Sequence, residues 1–105
     1  MRRQIPFSPA WKEKMLQGQK CCTARTRKYG AVGDTFEAYS HLFEITNIDY
    51  LPLEQVALQL FQKEGVSSPE EYQEVWQQLH PYKGFVPHQL VFVHHFKLIG
   101  NWRAM

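Results

Sequence analysis

Cysteine is scarce in this chain, and its placement excludes a disulfide framework. Only two cysteines occur among the 105 residues, and they are the adjacent Cys21 and Cys22. Neighbouring side chains on a strand point to opposite faces, so these two thiols are poorly placed to bridge each other. We therefore predict reduced thiols. A small buried thiol that fills core space is the commoner case, and a nucleophilic thiol is the alternative.

Long apolar runs and grouped metal ligands are also missing. The longest apolar runs, such as Leu90 to Val93, are far too short to cross a bilayer. The basic stretch Met1 to Pro6 leads into no apolar segment of signal-peptide length. The five histidines and two cysteines show no C-x-x-C or H-x-x-x-H spacing. The sequence thus predicts a soluble cytoplasmic protein that needs no metal and no cofactor and does not bind membranes.

Acidic residues are nearly absent from the first third of the chain. Residues 1–33 contain eight Lys or Arg and a single acid, Glu13, whereas residues 34–105 contain four Lys or Arg and nine acids. This asymmetry favours an anionic partner, either nucleic acid or a nucleotide, held on one face of the protein. Ordinary solvated surface charge is the alternative interpretation.

Apolar and aromatic residues, in contrast, are plentiful enough for a core. Hydrophobic residues make up 44% and aromatic residues 14% of the sequence, which excludes a disordered tail. A chain of 105 residues suits one compact domain, which we expect to span residues 1–105. The order of predicted elements is helix, strand, strand pair, two helices and strand, which is an α+β arrangement.

Local signals place these elements along the chain. Ser8 and Pro9 are typical of a helix start and Gly18 of its end, while Ser68 and Pro69 start a later helix that stops at His80. Four residues at helical spacing predict the core-facing stripe of that later helix: Tyr72, Val75, Trp76 and Leu79. The remaining predicted elements are strands at Thr35 to Tyr39, Leu42 to Tyr50 and Gln89 to Ile99, and a helix from Leu53 to Glu64.

The stretch after Gly18 concentrates cationic and reactive side chains. Lys20, Thr23 and Arg25 lie there within six residues, and Arg27 and Lys28 follow. We expect a tight turn that opens a short strand, because such a turn can direct two side chains into one cleft. On a regular strand, however, residues 20 and 23 face opposite sides. Lys20 must therefore lie in the turn or at a bulge for the two to cooperate.

Glu64 stands out in the second half of the chain. On a helix that starts at Leu53, Glu64 continues the apolar stripe of Ala57 and Leu60, so its carboxylate is predicted to point inward. It would also meet the negative end of the helix dipole. A sequence tends to break local rules where function requires it. The alternative is a frayed last turn in which Glu64 reaches solvent.

These blocks together resemble the ASCH domain of the PUA-like superfamily. The resemblance rests on residues 18–25 (Gly-Gln-Lys-Cys-Cys-Thr-Ala-Arg), 33–36 (Gly-Asp-Thr-Phe) and 63–65 (Lys-Glu-Gly). The helix end from Trp76 to Pro81 and the last strand around residues 91–96 belong to it as well. It implies a small mixed β-barrel flanked by about three helices, with a cleft suited to RNA or a modified base.

The resemblance also implies a chemistry. One branch of small bacterial ASCH proteins hydrolyses the acetamide of N4-acetylcytidine, and Lys20, Thr23 and Glu64 match its catalytic lysine, threonine and glutamate. In such an amidohydrolase the hydroxyl is the nucleophile, the amine the base and the carboxyl the acid. Arg25, Arg27 and Lys28 are then candidates for binding a modified nucleoside or single-stranded RNA. Other superfamily members only bind RNA, so a non-catalytic RNA-binding module is the alternative.

Aromatic residues are the remaining candidates for the site. Phe7, Trp11, Phe85 and Trp102 are able to stack on a base. In so small a domain, aromatic side chains more often fill the core.

Overall fold

The computed structural model describes residues 1–100 of the chain. A two-residue strand, β1 (Arg2–Arg3), leads to a 3-10 turn at Pro9–Trp11 and to helix α1 (Lys12–Leu16). The elements that follow are β2 (Cys22–Arg25), β3 (Thr35–Ala38), β4 (His41–Pro52), α2 (Leu53–Gln59), α3 (Pro69–Leu79) and β5 (Leu90–Gly100). The α+β class and the order of the larger elements are as predicted. None of the helices in the described part is long and apolar enough to cross a membrane.

The strands form one mixed sheet in the order β1-β3-β4-β5-β2. Among the strands of residues 1–100, β1 and β3 pair in parallel, the other neighbours are antiparallel, and the β4 to β5 ladder is the longest. The expected barrel is incomplete, because the sheet is not closed. The free edge of β2 is covered instead: the backbone N–H groups of Cys21 and Cys22 donate to the Lys63 carbonyl, and that of Ala24 donates to the Glu64 carboxylate.

Two apolar clusters pack against the strands. One contains buried side chains of α2, α3, β2 and β5, among them Val56, Trp76 and Val93. The other contains Met15 from α1 together with buried side chains of β3, β4 and β5. Trp11 packs against both clusters. The 3-10 turn that ends at Trp11 thus connects the two cores, ahead of α1 and Lys20.

Capping explains why α3 begins where the sequence indicated. The Ser68 hydroxyl accepts from the Glu71 N–H at 3.0 Å, and Pro69 occupies the first turn. The Glu71 carboxylate reaches the N–H of Ser67 rather than that of Ser68. Tyr72 and Trp76 are buried as predicted and Val75 is half-buried, but Leu79, the last residue of the helix, is 66% exposed.

The predicted extent of α2 is wrong. The helix ends at Gln59, since Leu60 leaves the helical conformation with φ −119° and ψ 7°. Tight turns follow, in which Glu64 N–H donates to the Leu60 carbonyl and Gly65 adopts a φ of +93°. Glu64 therefore lies in a turn and not at the end of a helix.

Candidate active site

A cleft of about 320 Å³ opens between the N-terminal segment, β2 and α3. Its walls comprise residues of the segment from Pro6 to Trp11, of the stretch from Lys20 to Tyr29, of the turn at Glu64 and Val66, and of α3 from Tyr72 to His80. The volume is at the lower end of the range of about 300 to 1,000 Å³ for small-molecule sites. The cleft contains Lys20, Thr23, Glu64 and Arg25.

Lys20 lies at the floor of the cleft and is only 4% exposed. It precedes β2 and forms an isolated bridge with Glu64, so it lies outside the strand, as a shared site with Thr23 requires. Its ammonium donates to the Glu64 carboxylate at 3.0 Å, the Glu64 carbonyl at 2.9 Å and the Cys22 carbonyl at 3.1 Å. The Trp11 ring centroid is 4.6 Å from Nζ. All three N–H donors of the ammonium are therefore used within the protein.

The Glu64 carboxylate is equally well bonded. Oε1 accepts a hydrogen bond from the Lys20 ammonium. Oε2 accepts one from the Ala24 backbone N–H at 3.0 Å and one from the Tyr72 hydroxyl at 3.2 Å. Burial, and then the negative charge of Glu64, raises the pKa of Tyr72 well above its usual value. Tyr72 thus remains a phenol that donates, and the buried carboxylate has a partner on each oxygen.

Thr23 presents its hydroxyl in the same cleft. The residue is 4% exposed, and its Oγ1 accepts a hydrogen bond of 3.1 Å from Nε of Arg25. Within residues 1–100, the Thr23 O–H has no acceptor of its own. The Thr23 hydroxyl thus keeps a proton to donate, and its hydrogen-bond partner in this structure is Arg25, not the Lys20 amine.

Arg25 contacts the N-terminal segment and leaves donors for a ligand. Its Nη2 donates to the Pro6 carbonyl at 2.8 Å, and its guanidinium lies 5.1 Å from the Phe7 ring centroid. Burial lowers the pKa of Arg25 below its usual value. No carboxylate in the described chain forms an ion pair with it, so an acceptor oxygen on a ligand would find unused N–H groups here.

Arg27 and Lys28 lie outside this cleft and are exposed. They line a shallow neighbouring groove together with Arg3, and Tyr29 borders both the groove and the cleft. The Arg27 guanidinium lies 4.5 Å from the Tyr29 ring centroid. The structure therefore separates the predicted cationic set into one arginine inside the cleft and two cations beside it.

The two cysteines differ in their surroundings. Cys22 is fully buried in the core formed with α2 and α3, and burial raises the pKa of its thiol far above the usual value. A thiol that stays protonated is a poor nucleophile. Cys21 is half-buried, and neither cysteine forms a disulfide. Cys22 thus fills core space, the commoner of the two roles weighed from the sequence.

Several cleft residues were not recognised from the sequence. Tyr72 and Trp76 of α3 line the cleft, and so does His80, the C-cap of the helix, at the same four-residue spacing. The helical period did place Tyr72 and Trp76 on an inner face, but that period alone cannot distinguish a core stripe from the wall of a cleft. His94, 0% exposed, supports the site from behind, because its Nδ1 lies 3.3 Å from the Thr23 carbonyl oxygen.

The aromatic candidates are divided between the cleft and the core. Phe7 and Trp11 line the cleft. Phe85 packs against the core of α2 and α3. Trp102 lies outside the described residues.

Comparison with solved structures identifies the fold. The chain matches the crystal structure of an ASCH domain from Lactobacillus crispatus JV V101 with a TM-score of 0.72, covering 94% of this chain and 80% of that one at 16% identity. The hypothetical protein PH0355 matches with a TM-score of 0.74, covering 94% and 100% at 18% identity. Protein EF3133 from Enterococcus faecalis V583, a DUF984 protein, matches with a TM-score of 0.64, covering 87% and 71% at 18% identity.

The predicted ASCH-like fold is confirmed by these similarities. No protein-family model matches the sequence, and no curated protein matches it significantly. Sequence identities of 16 to 18% establish a fold only. The function of this chain therefore depends on the chemistry of its own cleft.

Proposed function

We propose that this protein hydrolyses the acetamide of an N4-acylated cytosine nucleoside, with Thr23 as nucleophile, Lys20 as base and Glu64 as acid. The observation that carries the proposal is the buried Lys20 to Glu64 contact of 3.0 Å in the cleft that also contains the Thr23 hydroxyl. An amide hydrolase needs a nucleophile, a proton acceptor and a proton donor within one enclosed site. These three side chains supply them.

The charged Lys20 is not itself a base, so the mechanism requires an internal proton transfer. In a dry site an ion pair is costly, and the neutral amine with a carboxylic acid becomes accessible once a substrate excludes water. Moving one proton from Lys20 Nζ to Glu64 Oε1 creates both catalytic groups in one step. The amine can then accept the Thr23 proton, and the carboxylic acid can protonate the departing N4.

The reaction then proceeds in two halves. Thr23 Oγ1 bonds to the acyl carbon, the carbon to N4 bond breaks, and N4 leaves with the proton from Glu64. This half restores the ion pair and leaves an ester on Thr23. Water next attacks the ester, the Lys20 and Glu64 pair relays its proton to Thr23 Oγ1, and the free carboxylic acid departs. Arg25 contributes N–H groups for the carbonyl oxygen during both halves.

The runner-up function is a non-catalytic RNA-binding module. Two observations favour it: all three Lys20 donors are already used within the protein, and Arg27 and Lys28 form no ion pair within the described chain. In that case the Lys20 to Glu64 pair only fixes the floor of the cleft. Bases would stack on aromatic residues and phosphates would bind the exposed cations.

A deacetylation assay separates the two functions. N4-acetylcytidine is incubated with the wild-type protein, and cytidine is quantified by chromatography. We expect turnover by the wild type and a loss of at least ~100-fold in Thr23→Val, because the nucleophile is removed without much change of volume. Thr26→Val is the matched control, since Thr26 lines the same cleft but is exposed. Equal turnover in the two variants, or none in the wild type, would contradict the proposal.

A further inference from the structure

One face of α3, extended by its C-cap His80, runs from the floor of the cleft to its rim. Tyr72, Trp76 and His80 recur every four residues and all line the cleft. Tyr72 donates to the Glu64 carboxylate at the floor. His80 follows eight residues later, which is about 12 Å along a helix axis at 1.5 Å per residue. The helix therefore places His80 at the end of the cleft opposite to the Lys20 and Glu64 pair.

The His80 ring is held in one orientation and one tautomer. Its Nδ1 lies 3.0 Å from the Trp76 carbonyl oxygen, and because a carbonyl only accepts, Nδ1 must carry the hydrogen when the ring is neutral. The ring also stacks on the Trp76 indole, with centroids 4.1 Å apart and planes 20° apart. Within residues 1–100, Nε2 has no partner. It therefore keeps an unengaged lone pair.

This acceptor differs from the charged groups deeper in the cleft. Lys20 and Arg25 are donors, and both oxygens of Glu64 are already bonded. The neighbouring Trp76 adds an indole N–H that is buried and has no acceptor in the described chain. The buried indole N–H is not accessible to a ligand, so the wall at Trp76 and His80 has one unused acceptor, His80 Nε2, which matches the O–H of a ligand hydroxyl group.

An acylated cytosine nucleoside would bring its sugar to this wall. N4 and the glycosidic N1 lie at opposite ends of the pyrimidine ring, so a molecule whose acyl group meets Thr23 directs its sugar toward the rim. We propose that Trp76 and His80 form a sugar subsite in which His80 Nε2 accepts a hydrogen bond from a ribose hydroxyl. The orientation of the ligand rests on the function proposed above. The subsite makes the protein prefer nucleosides over free bases.

Binding measurements test the subsite without requiring turnover. The dissociation constants of N4-acetylcytidine and N4-acetylcytosine are measured by calorimetry for Thr23→Val, alone and combined with His80→Phe. Phenylalanine keeps a ring on Trp76 but removes the acceptor. We expect the preference for the nucleoside to fall about three- to ten-fold, as for one lost hydrogen bond, while binding of the free base stays unchanged. His88→Phe is the control, because His88 is exposed and does not line the cleft.

An unchanged preference in His80→Phe would overturn the subsite, and so would an equal loss of affinity for both ligands. Thermal unfolding of each variant verifies that it is folded. Because only binding is measured, a protein without amidase activity can still show the subsite, and an active enzyme can still lack it. The two proposals therefore fail in different experiments.

Discussion

His94 fixes Thr23 through the backbone. The Tyr29 N–H donates to His94 Nε2 at 3.0 Å, so Nε2 is the bare nitrogen of a neutral ring and Nδ1–H faces the Thr23 carbonyl. Burial lowers the pKa of His94 below its usual value of 6.5. The neutral His94 imidazole thus links β5 to β2, which contains Thr23, and to the loop at Tyr29.

This arrangement predicts a pH dependence of stability. Because the folded protein resists protonating His94 and the unfolded chain does not, the contribution of His94 is fully present above pH 6.5. It declines as the pH falls below that value, by at most about 1.4 kcal/mol per pH unit. Denaturant unfolding between pH 7.5 and pH 5 should show a smaller decline in His94→Gln, which keeps a donor and an acceptor. His88→Gln serves as the control, and equal slopes in both variants would refute the assignment.

Among the structural elements, the turn after α2 holds the residues at the floor of the cleft in contact with one another. Gly65 has a φ of +93°, and a Cβ at this position would lie 3.1 Å from Lys20 Cβ and 3.2 Å from Trp11 Cζ3. Lys14 donates to the Gly65 carbonyl. The turn can therefore place Glu64 against Lys20 only because residue 65 has no side chain.

Gly65→Ala should consequently destabilise the protein and disturb the site. Gly18→Ala is a matched control, since Gly18 also has a positive φ, +80°, but open space around the added Cβ. Both variants bear the backbone cost of about 1 to 2 kcal/mol, and only Gly65→Ala adds a steric cost of about 1 to 3 kcal/mol. Chemical denaturation measures the difference. Equal destabilisation of the two variants would show that close packing at Gly65 is unimportant.

The helices and strands were predictable from the sequence only where local signals define them. Local signals were sufficient for α3, where Ser68 and Pro69 act within one turn. They failed for α2, because the pattern through Glu64 suited a helix while the chain turns after Gln59. Strand β1 was missed because two residues carry no periodicity, and its position depends on pairing with β3. Contacts between residues that are distant in the sequence determine where α2 ends and where β1 forms.

The candidate site was also only partly predictable from the sequence. The requirement that Lys20 lie outside the strand followed from alternation alone, and it lies there. Glu64 is buried, as predicted, but for another reason: its partners are Lys20, Ala24 and Tyr72, not a helical stripe. His80 and His94 gave no local signal, since their roles depend on residues that meet them only in the folded chain.

Over the whole molecule, folding redistributes the charge asymmetry of the sequence. Lys20 is neutralised by Glu64 inside the protein, and Arg3 pairs with Asp34 at 2.9 Å. Arg27 and Lys28 remain exposed beside the cleft. The groove beside the cleft is therefore one surface where positive charge from the N-terminal third stays available to a partner.

Binding of single-stranded RNA should accordingly weaken with salt, and Lys28→Glu should weaken it further. Losing one phosphate contact is expected to reduce the slope of log K against log salt by about 1. Lys97→Glu changes the net charge equally but lies on β5, where Lys97 pairs with Glu44 at 3.5 Å. Fluorescence anisotropy at several salt concentrations compares the two variants. Affinity that is independent of salt, or equal slopes for both variants, would argue against the groove as the contact surface.

The most direct test of the central claim, that Lys20 exchanges a proton, is the turnover of Lys20→Arg. An arginine keeps the positive charge and several donors but cannot become a neutral base near pH 7. Binding of N4-acetylcytidine, measured by calorimetry, should be largely retained, and thermal unfolding verifies the fold. Turnover should fall by ~100-fold or more, the scale of a lost general base. Turnover close to that of the wild type would contradict the account and assign the Lys20 to Glu64 pair to binding alone.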